Sequence, residues 1–347
     1  MRPVGFILLI GAGCGRLGFE LPRTGDGNDT VDAKVGSARD GSVVDAPPAL
    51  SCVGLPAICG PSGASSCCDS PLVTGGTFFR GYDVAADGSF PDMTNPATLS
   101  DFRLDTYEVT VGRFRQFVNA AIGTQQNPPS AGAGARMLNG TANQGGWDAI
   151  WNPSLVTDTA AMIAAVKCSA TDQTWTDAPA GNENLAMNCI TWYEAMAFCA
   201  WDGGFLPTLA EWNYAATGGG EQRAYPWSNP PSSVTIDCSY ANFYNVTDAC
   251  IDPPNGGVGP VGAESPKGDG KWGQADLAGN VAEWVLDYNA VDANPCDDCA
   301  TLKPSAYRDT ASSVFNGFPG TLRVAIGSVD VPSGRTYNLG VRCARAP

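Results

Sequence analysis

Histidine is absent from all 347 residues. That absence removes the one side chain that ordinarily titrates near neutrality, the commonest metal-binding imidazole, and the base of every Ser-His or Cys-His pair. Most familiar hydrolase mechanisms are thereby excluded. Positive charge is scarce as well: 20 lysines and arginines stand against 35 aspartates and glutamates, a net charge of -15. Such a chain repels nucleic-acid phosphates and anionic lipid headgroups, so no nucleic-acid partner is expected. Solubility and divalent cations are the natural correlates of that charge. Long apolar runs are also missing, because nothing reaches the roughly 18 uninterrupted apolar residues of a membrane-spanning helix.

The one notable apolar run, Val4 to Ile10, follows Met1-Arg2 and precedes Gly11-Ala12-Gly13-Cys14. These are the basic, apolar and small-residue zones of a secretory signal. A cysteine directly after small residues is where a bacterial lipoprotein is cut and lipidated. Residues 1–13 are therefore read as a lipoprotein signal peptide and Cys14 as the lipid attachment residue, the chain's only contact with a membrane. The expected location is the cell envelope, at the outer membrane or cell surface, with plain secretion as the alternative. Residues 14–50 read as a disordered acidic tether. From Gly25 to Leu50 they are rich in Asp, Gly, Ser and Ala and hold no aromatic, too little apolar surface to offset the entropy of ordering.

Thirteen cysteines less Cys14 leave twelve, an even number that predicts up to six disulfides formed in an oxidising compartment. Cys52, Cys59, Cys67 and Cys68 fall in a Gly/Pro/Ser-rich lead-in, residues 51–72, and are expected to pair among themselves in one of three ways. Sequence neighbours suggest Cys168 with Cys189, Cys238 with Cys250 and Cys296 with Cys299. The last pair forms a CxxC, which could also serve zinc or redox chemistry. No second CxxC follows and no histidine exists to complete a zinc site. The helix start that lowers a thiol pKa is not evident either, so a structural staple is the reading adopted.

Residues 73–347 contain no second tether and read as one domain. Alternation predicts strands at Gly76–Arg80 and Phe102–Val109. Three- and four-residue spacing of Val111, Phe114, Phe117 and Val118 predicts a helix over Val111–Ala120, and Trp192, Ala195, Met196 and Cys199 predict another. A third helix starts after Thr208, with Glu211 placed for a capping box and Gly218-Gly219-Gly220 as its stop. The remainder is Gly-, Pro- and Asn-rich loop, which needs cross-links.

Three stretches are more specific. The first runs from Asn188 through Trp192, Cys199, Trp201 and Leu206-Pro207-Thr208 to Glu211-Trp212, closing at Tyr225-Pro226-Trp227. The second runs from Pro260-Val261-Gly262 to Asp276-Leu277-Ala278-Gly279-Asn280-Val281-Ala282-Glu283-Trp284. The third is Leu339-Gly340-Val341-Arg342-Cys343. In this order, and with Gly75–Phe78 and Asp105–Thr110 before them, they resemble the formylglycine-generating enzyme, or sulfatase-modifying factor, family. The resemblance implies an α+β, disulfide-rich fold related to C-type lectins, with little regular secondary structure. It also implies a disulfide between Cys199 and Cys343. It further implies structural calcium: one site from the side chains of Asp276 and Glu283 and the carbonyls of Gly279 and Val281, a second from Asn242 and the carbonyl of Phe243, with Asp248 nearby. Carboxylates and carbonyls are the hard oxygens calcium takes; the alternative is that Asp276 and Glu283 only cap local structure.

Enzymes of the family convert a sulfatase cysteine to formylglycine with oxygen and a copper ion held by two thiolates, the soft ligands that monovalent copper prefers. Those cysteines lie between an R-V-x-R-G-G-S-W motif and the final G-F-R-C. Here only fifteen residues separate Gly327 from Cys343, and none is cysteine. Ile326 stands for the motif's arginine and Leu209 for the first glutamate of L-P-T-E-x-E-W. A histidine-ligated iron, used by a sister branch, is excluded by composition. The expectation is no catalytic residue, no copper, and a binding or structural module for an unknown protein or glycan ligand. The alternative is a formylglycine-generating oxidoreductase that recruits Cys296 and Cys299. Trp147, Trp151 and Trp175, in a loop-rich insertion, are either recognition surface or core.

Overall fold

A computed structural model describes residues 49–85, 92–244, 250, 257–325 and 327–347. The expected signal, Cys14, the tether up to residue 48, Asp248 and Ile326 lie outside these residues. Among the described residues four α-helices form: α1 Val111–Asn119, α2 Thr159–Ala165, α3 Trp192–Trp201 and α4 Leu209–Ala216. Three stand where the spacing predicts them, and α2, started by Asp158 accepting from the Ala161 amide, is not foreshadowed by the periodicity. Their starts are set locally. Thr110 accepts a hydrogen bond from the Arg113 amide, while Thr191 with Glu194 and Thr208 with Glu211 each complete a capping box, satisfying donors that a helix start leaves open. Helix α4 stops where Gly218 turns left-handed at φ 67°.

The strands are short, as expected of a loop-dominated domain: β1 Leu72–Val73, β2 Gly76–Phe79, β3 Pro96–Leu99, β4 Phe102–Leu104, β5 Arg136–Leu138, β6 Thr141–Gln144, β7 Ala282–Tyr288, β8 Cys296–Asp297, β9 Arg308–Ala311, β10 Ser328–Asp330, β11 Leu339–Gly340 and β12 Ala344–Arg345. The central sheet runs β10-β9-β7-β11. It is antiparallel except where β11 joins β7. A second sheet, β1-β4-β12, brings the start of the domain against its C-terminus.

One expected strand is cut short. Phe102–Val109 alternates in sequence, yet the ladder ends at Leu104, because Asp105 and Glu108 turn into the interior to meet buried donors. Asp105 Oδ2 accepts from Arg113 at 2.9 Å, and Glu108 Oε1 accepts from the Val281 amide at 3.2 Å. Hydrogen bonds to charged groups outweigh a further ladder rung.

The largest core joins Phe114 and Phe117 of α1, Trp192 and Phe198 of α3, and Trp284 of β7. Trp147 and Trp175 are buried within it, and Trp151 packs edge-on against Trp192 with centroids 5.0 Å apart. The tryptophans of the insertion are therefore core, the second of the two sequence readings. Six disulfides close the fold: Cys52–Cys68, Cys59–Cys67, Cys168–Cys189, Cys199–Cys343, Cys238–Cys250 and Cys296–Cys299. The stapled lead-in is packed into the domain through buried charge. Arg113 donates to Ser51 Oγ at 2.9 Å, to the Cys67 carbonyl at 3.2 Å and to Asp202 at 2.6 Å. Burial alone would raise the Asp202 carboxyl, but Arg113 and Arg345 hold it below its usual range.

Candidate functional site

Two cavities meet at Gly327, which lines both. The first, about 340 Å³, is bounded by the start of α4, Trp212, Val324 and Ala325, with Arg80, Asp92, Asp287 and Asp292 supplying charge. The second, about 440 Å³, lies over the central sheet between β10 and the turn after β9. Volumes of this size fall within the range of about 300–1,000 Å³ typical of small-molecule pockets. Both cavities open to the surface.

Asp287 is the most constrained group of the first cavity. Its carboxylate accepts from the Leu209 amide, at the first turn of α4, and from the Thr301 amide, both at 2.7 Å. Burial pushes its pKa up to about 6; the two amide bonds oppose this, and the charges of Asp309 and Asp292 add to it. Arg80 donates to the Ala293 carbonyl at 2.5 Å and lies 3.7 Å from Asp292. Nearby, Arg308 is buried with its guanidinium 3.3 Å from the Tyr288 ring centre and 3.5 Å from that of Trp192. Burial lowers its pKa to about 10. None of these three residues is evident as a site residue from sequence, because each acquires its role from partners far along the chain. Arg342, quoted above only as part of a motif, is the other omission: an arginine flanked by Val341 and Cys343 was the available signal that a buried charge is paired there.

The calcium candidates lie apart from the groove lining. Asp276 Oδ2 accepts from the Gly262 amide at 2.6 Å, and burial pushes its pKa up to about 6. Glu108, likewise buried, is raised well above its usual range by burial and by the charges of Asp276 and Glu283. Glu283 carries both oxygens against Arg342 at 2.9 Å, and its Oε2 accepts from Trp212 Nε1 at 2.8 Å. Gly279 admits no side chain, since a Cβ there would stand 2.4 Å from the Asn242 carbonyl oxygen. Asn242 donates to Asn280 and to the Gly257 carbonyl, and its own buried Oδ1 has no partner. Phe243 is buried beside it. No three His, Cys, Asp or Glu side chains converge on one point among the described residues, so a cation here would depend on carbonyl and amide oxygens.

Copper is a different case. Its thiolate ligands would have to come from cysteines, and all twelve described cysteines are in disulfides, Cys296 and Cys299 with each other. The residues present do not fit a two-thiolate copper centre.

Known proteins agree with this architecture. Residues 58–347 match the Sulfatase-modifying factor enzyme 1-like domain. The chain is 30% identical over 288 residues to "Inactive C-alpha-formylglycine-generating enzyme 2" of Bos taurus, a match covering 78% of this chain and 85% of that protein. It is 28% identical over 301 residues to "Formylglycine-generating enzyme" of Thermomonospora curvata, covering 79% of this chain and 92% of the other. Among solved structures, PvdO from Pseudomonas aeruginosa has a TM-score of 0.53 at 18% identity, over 80% of this chain and 93% of that one, which speaks to the fold alone. With the ordered motifs, the irregular α+β fold and a family match across almost all of the described residues, the chain belongs to the sulfatase-modifying factor, or formylglycine-generating enzyme, family.

Proposed function

We propose that this protein is a non-catalytic binding or structural module of the cell envelope, exported, anchored by a lipid on Cys14 and stabilised by calcium. The observation that carries the reading is the pairing of every described cysteine beside a groove that stays open at Gly327. The fold is retained and a ligand-sized space exists, but no thiolate pair is available for oxygen chemistry. Its partner is an unknown protein or glycan, and the bovine relative whose name includes "Inactive" is consistent with a family member that does not catalyse.

The same fold is carried by a relative named "Formylglycine-generating enzyme", so a direct assay decides. Purified protein with copper(I), oxygen and a sulfatase-motif peptide is expected to leave the peptide thiol intact; aldehyde formation would overturn the reading. The intact mass of protein extracted from membranes tests the anchor, which is lost as an idea if Cys14 is present but unmodified.

Calcium is supported by the partnerless Asn242 Oδ1 and by two buried carboxyls, Glu108 and Asp276, close enough for the charge of Asp276 to raise Glu108, whereas Glu283 is already paired with Arg342. Removing a divalent cation from such a cluster leaves negative charge uncompensated in a low-dielectric interior. The pH dependence follows from Asp276 and Asp287. Both have folded pKa values raised from 3.8 to about 6, so the folded state binds more protons than the unfolded state across that interval. Their contribution to stability in chelator is therefore expected to fall as pH rises from about 4 to about 6, and Glu108, raised well above its usual range, extends the fall to higher pH. Calcium is expected to raise the melting temperature at about pH 7 and to do less at about pH 5, where Asp276 is largely protonated. Identical melts with calcium and with chelator at both pH values would remove the calcium sites.

A further inference from the structure

We propose that the 440 Å³ cavity over the central sheet binds an uncharged saccharide, an inference that rests on reading the groove as a binding site. The lining chemistry argues for it. Thr310, Ser312, Ser313, Thr321, Ser328 and Thr336 line the cavity together with Asn338, and among the described residues Asp330 is its only ionisable lining residue. That carboxylate already accepts from the Val331 amide at 2.7 Å. A hydroxyl can donate or accept; Ser312 and Thr321 already donate to carbonyls and so offer a sugar hydroxyl their lone pairs. Among the described lining residues an anionic ligand would find no cation and would meet the Asp330 carboxylate. The neighbouring cavity has the opposite character, with Arg80 and three aspartates.

A second observation is backbone strain at the same place. Ser312 is a non-glycine residue at φ 66°, held between buried Ala311 and buried Phe315, with its Oγ donating to the Ser313 carbonyl at 3.0 Å. The left-handed conformation is unfavourable for a serine and persists where the surroundings impose it, often around ligand sites. Here it sets the turn that carries Ser312 and Ser313 into the lining.

A third observation is aromatic. Phe318, 58% exposed, and Tyr244, 41% exposed, stand edge to face with centroids 5.4 Å apart. Both are tied to the lining: the Tyr244 amide donates to the Gly317 carbonyl at 2.9 Å, and Thr321 Oγ1 donates to the Phe318 carbonyl at 2.8 Å. Neither ring is part of the lining itself; held next to it through Gly317 and Thr321, the rings offer apolar surface for the C–H faces of a pyranose while the lining takes its polar edges. The floor contributes Ala282 of β7, Thr310 of β9 and Leu339 of β11, strands already joined in one ladder. Recognition at the floor thus falls to side chains rather than to the strand addition by which extended peptides dock.

Titration calorimetry of the purified chain with chitohexaose, cellohexaose, maltohexaose and xylohexaose tests the inference. At least one is expected to bind with Kd at or below roughly 1 mM. Phe318→Ala and Thr336→Val are each expected to weaken that binding about tenfold without changing the melting temperature. Ile150→Ser, at a residue 75% exposed elsewhere on the surface, is expected to leave it unaltered. The Kd is expected to change less than about twofold between roughly 0.05 and 0.5 M NaCl, because no charge is involved. No binding to any of the four, binding that survives both cavity substitutions, or a steep salt dependence would overturn the saccharide site. An intact peptide thiol in the copper assay together with no saccharide binding would leave the non-catalytic reading standing and remove this one alone. Aldehyde formation would remove the reading on which it rests.

Discussion

Arg342→Met is expected to cost about 3–5 kcal/mol of folding stability, a large share of the roughly 5–15 kcal/mol that holds a typical domain. The guanidinium is fully buried and spends its donors on five acceptors. Nε donates to both oxygens of Glu283 at 2.9 Å, one terminal nitrogen donates to the Asp105 and Thr106 carbonyls at 3.1 Å, and the other donates to the Ala275 carbonyl at 2.8 Å. Methionine fills similar space but leaves Glu283 as an unpaired buried charge beside Glu108 and Asp276. Breaking one side of a buried pair costs more than the pair contributes, because the remaining ion is neither hydrated nor compensated. Adding Glu283→Gln to the variant is therefore expected to recover part of the loss, since glutamine keeps an acceptor for Trp212 and removes the charge. Arg342→Lys keeps the charge but has only three donors for five acceptors and is expected to fall between wild type and Met. Urea denaturation midpoints in chelator measure the series; a loss under about 1 kcal/mol for Arg342→Met would show that the cluster is not what holds this region.

Removing the Cys199–Cys343 bond is expected to have an effect of the same order by a different route. The two residues are 144 apart in sequence, and in the chain-entropy account a closure of that length is worth roughly 5 kcal/mol, most of it through restriction of the unfolded chain. Cys199 sits on α3 and Cys343 just before β12, both fully buried, and the Cys343 carbonyl accepts from the Asp105 amide at 3.0 Å. The bond therefore joins the main helix to the C-terminal motif at the point where Arg342 enters the core. Replacing both cysteines with alanine and measuring denaturant midpoints under non-reducing conditions gives the number. The matched change at Cys296 and Cys299, three residues apart, is expected to cost under about 2 kcal/mol on the same account. Equal losses for the two pairs would mean that packing around the sulfurs, rather than loop closure, sets their contribution.

The parts of this protein that could be read in advance are those decided within one helical turn or one short loop. Thr191 with Glu194 and Thr208 with Glu211 announce helix starts because the capping partners are three residues apart. Cys168–Cys189, Cys238–Cys250 and Cys296–Cys299 join sequence neighbours. Cys199–Cys343 was legible only through the likeness to the family, since spacing alone favours no such distant pair. The Phe102–Val109 alternation misled because the pattern carries no sign that Asp105 and Glu108 would be drawn inward by Arg113 and Val281. Trp147, Trp151 and Trp175 were ambiguous for the same reason, as burial depends on what arrives from elsewhere.

Composition and motif order determined by themselves that the chain has no imidazole chemistry, that its cysteines count as an even set once Cys14 is set aside, and which family it belongs to. These are properties of residues taken singly or in fixed order. Tertiary structure alone decided that Arg342 and Arg113 are buried hubs, that Asp287 is held by two amides from distant segments, and that the groove at Gly327 is open with one acidic and one hydroxyl-lined half. The physical reason is that desolvation, charge pairing and cavity shape act across space, between residues brought together from segments as far apart as Asp105 and Arg345, and no local pattern encodes them.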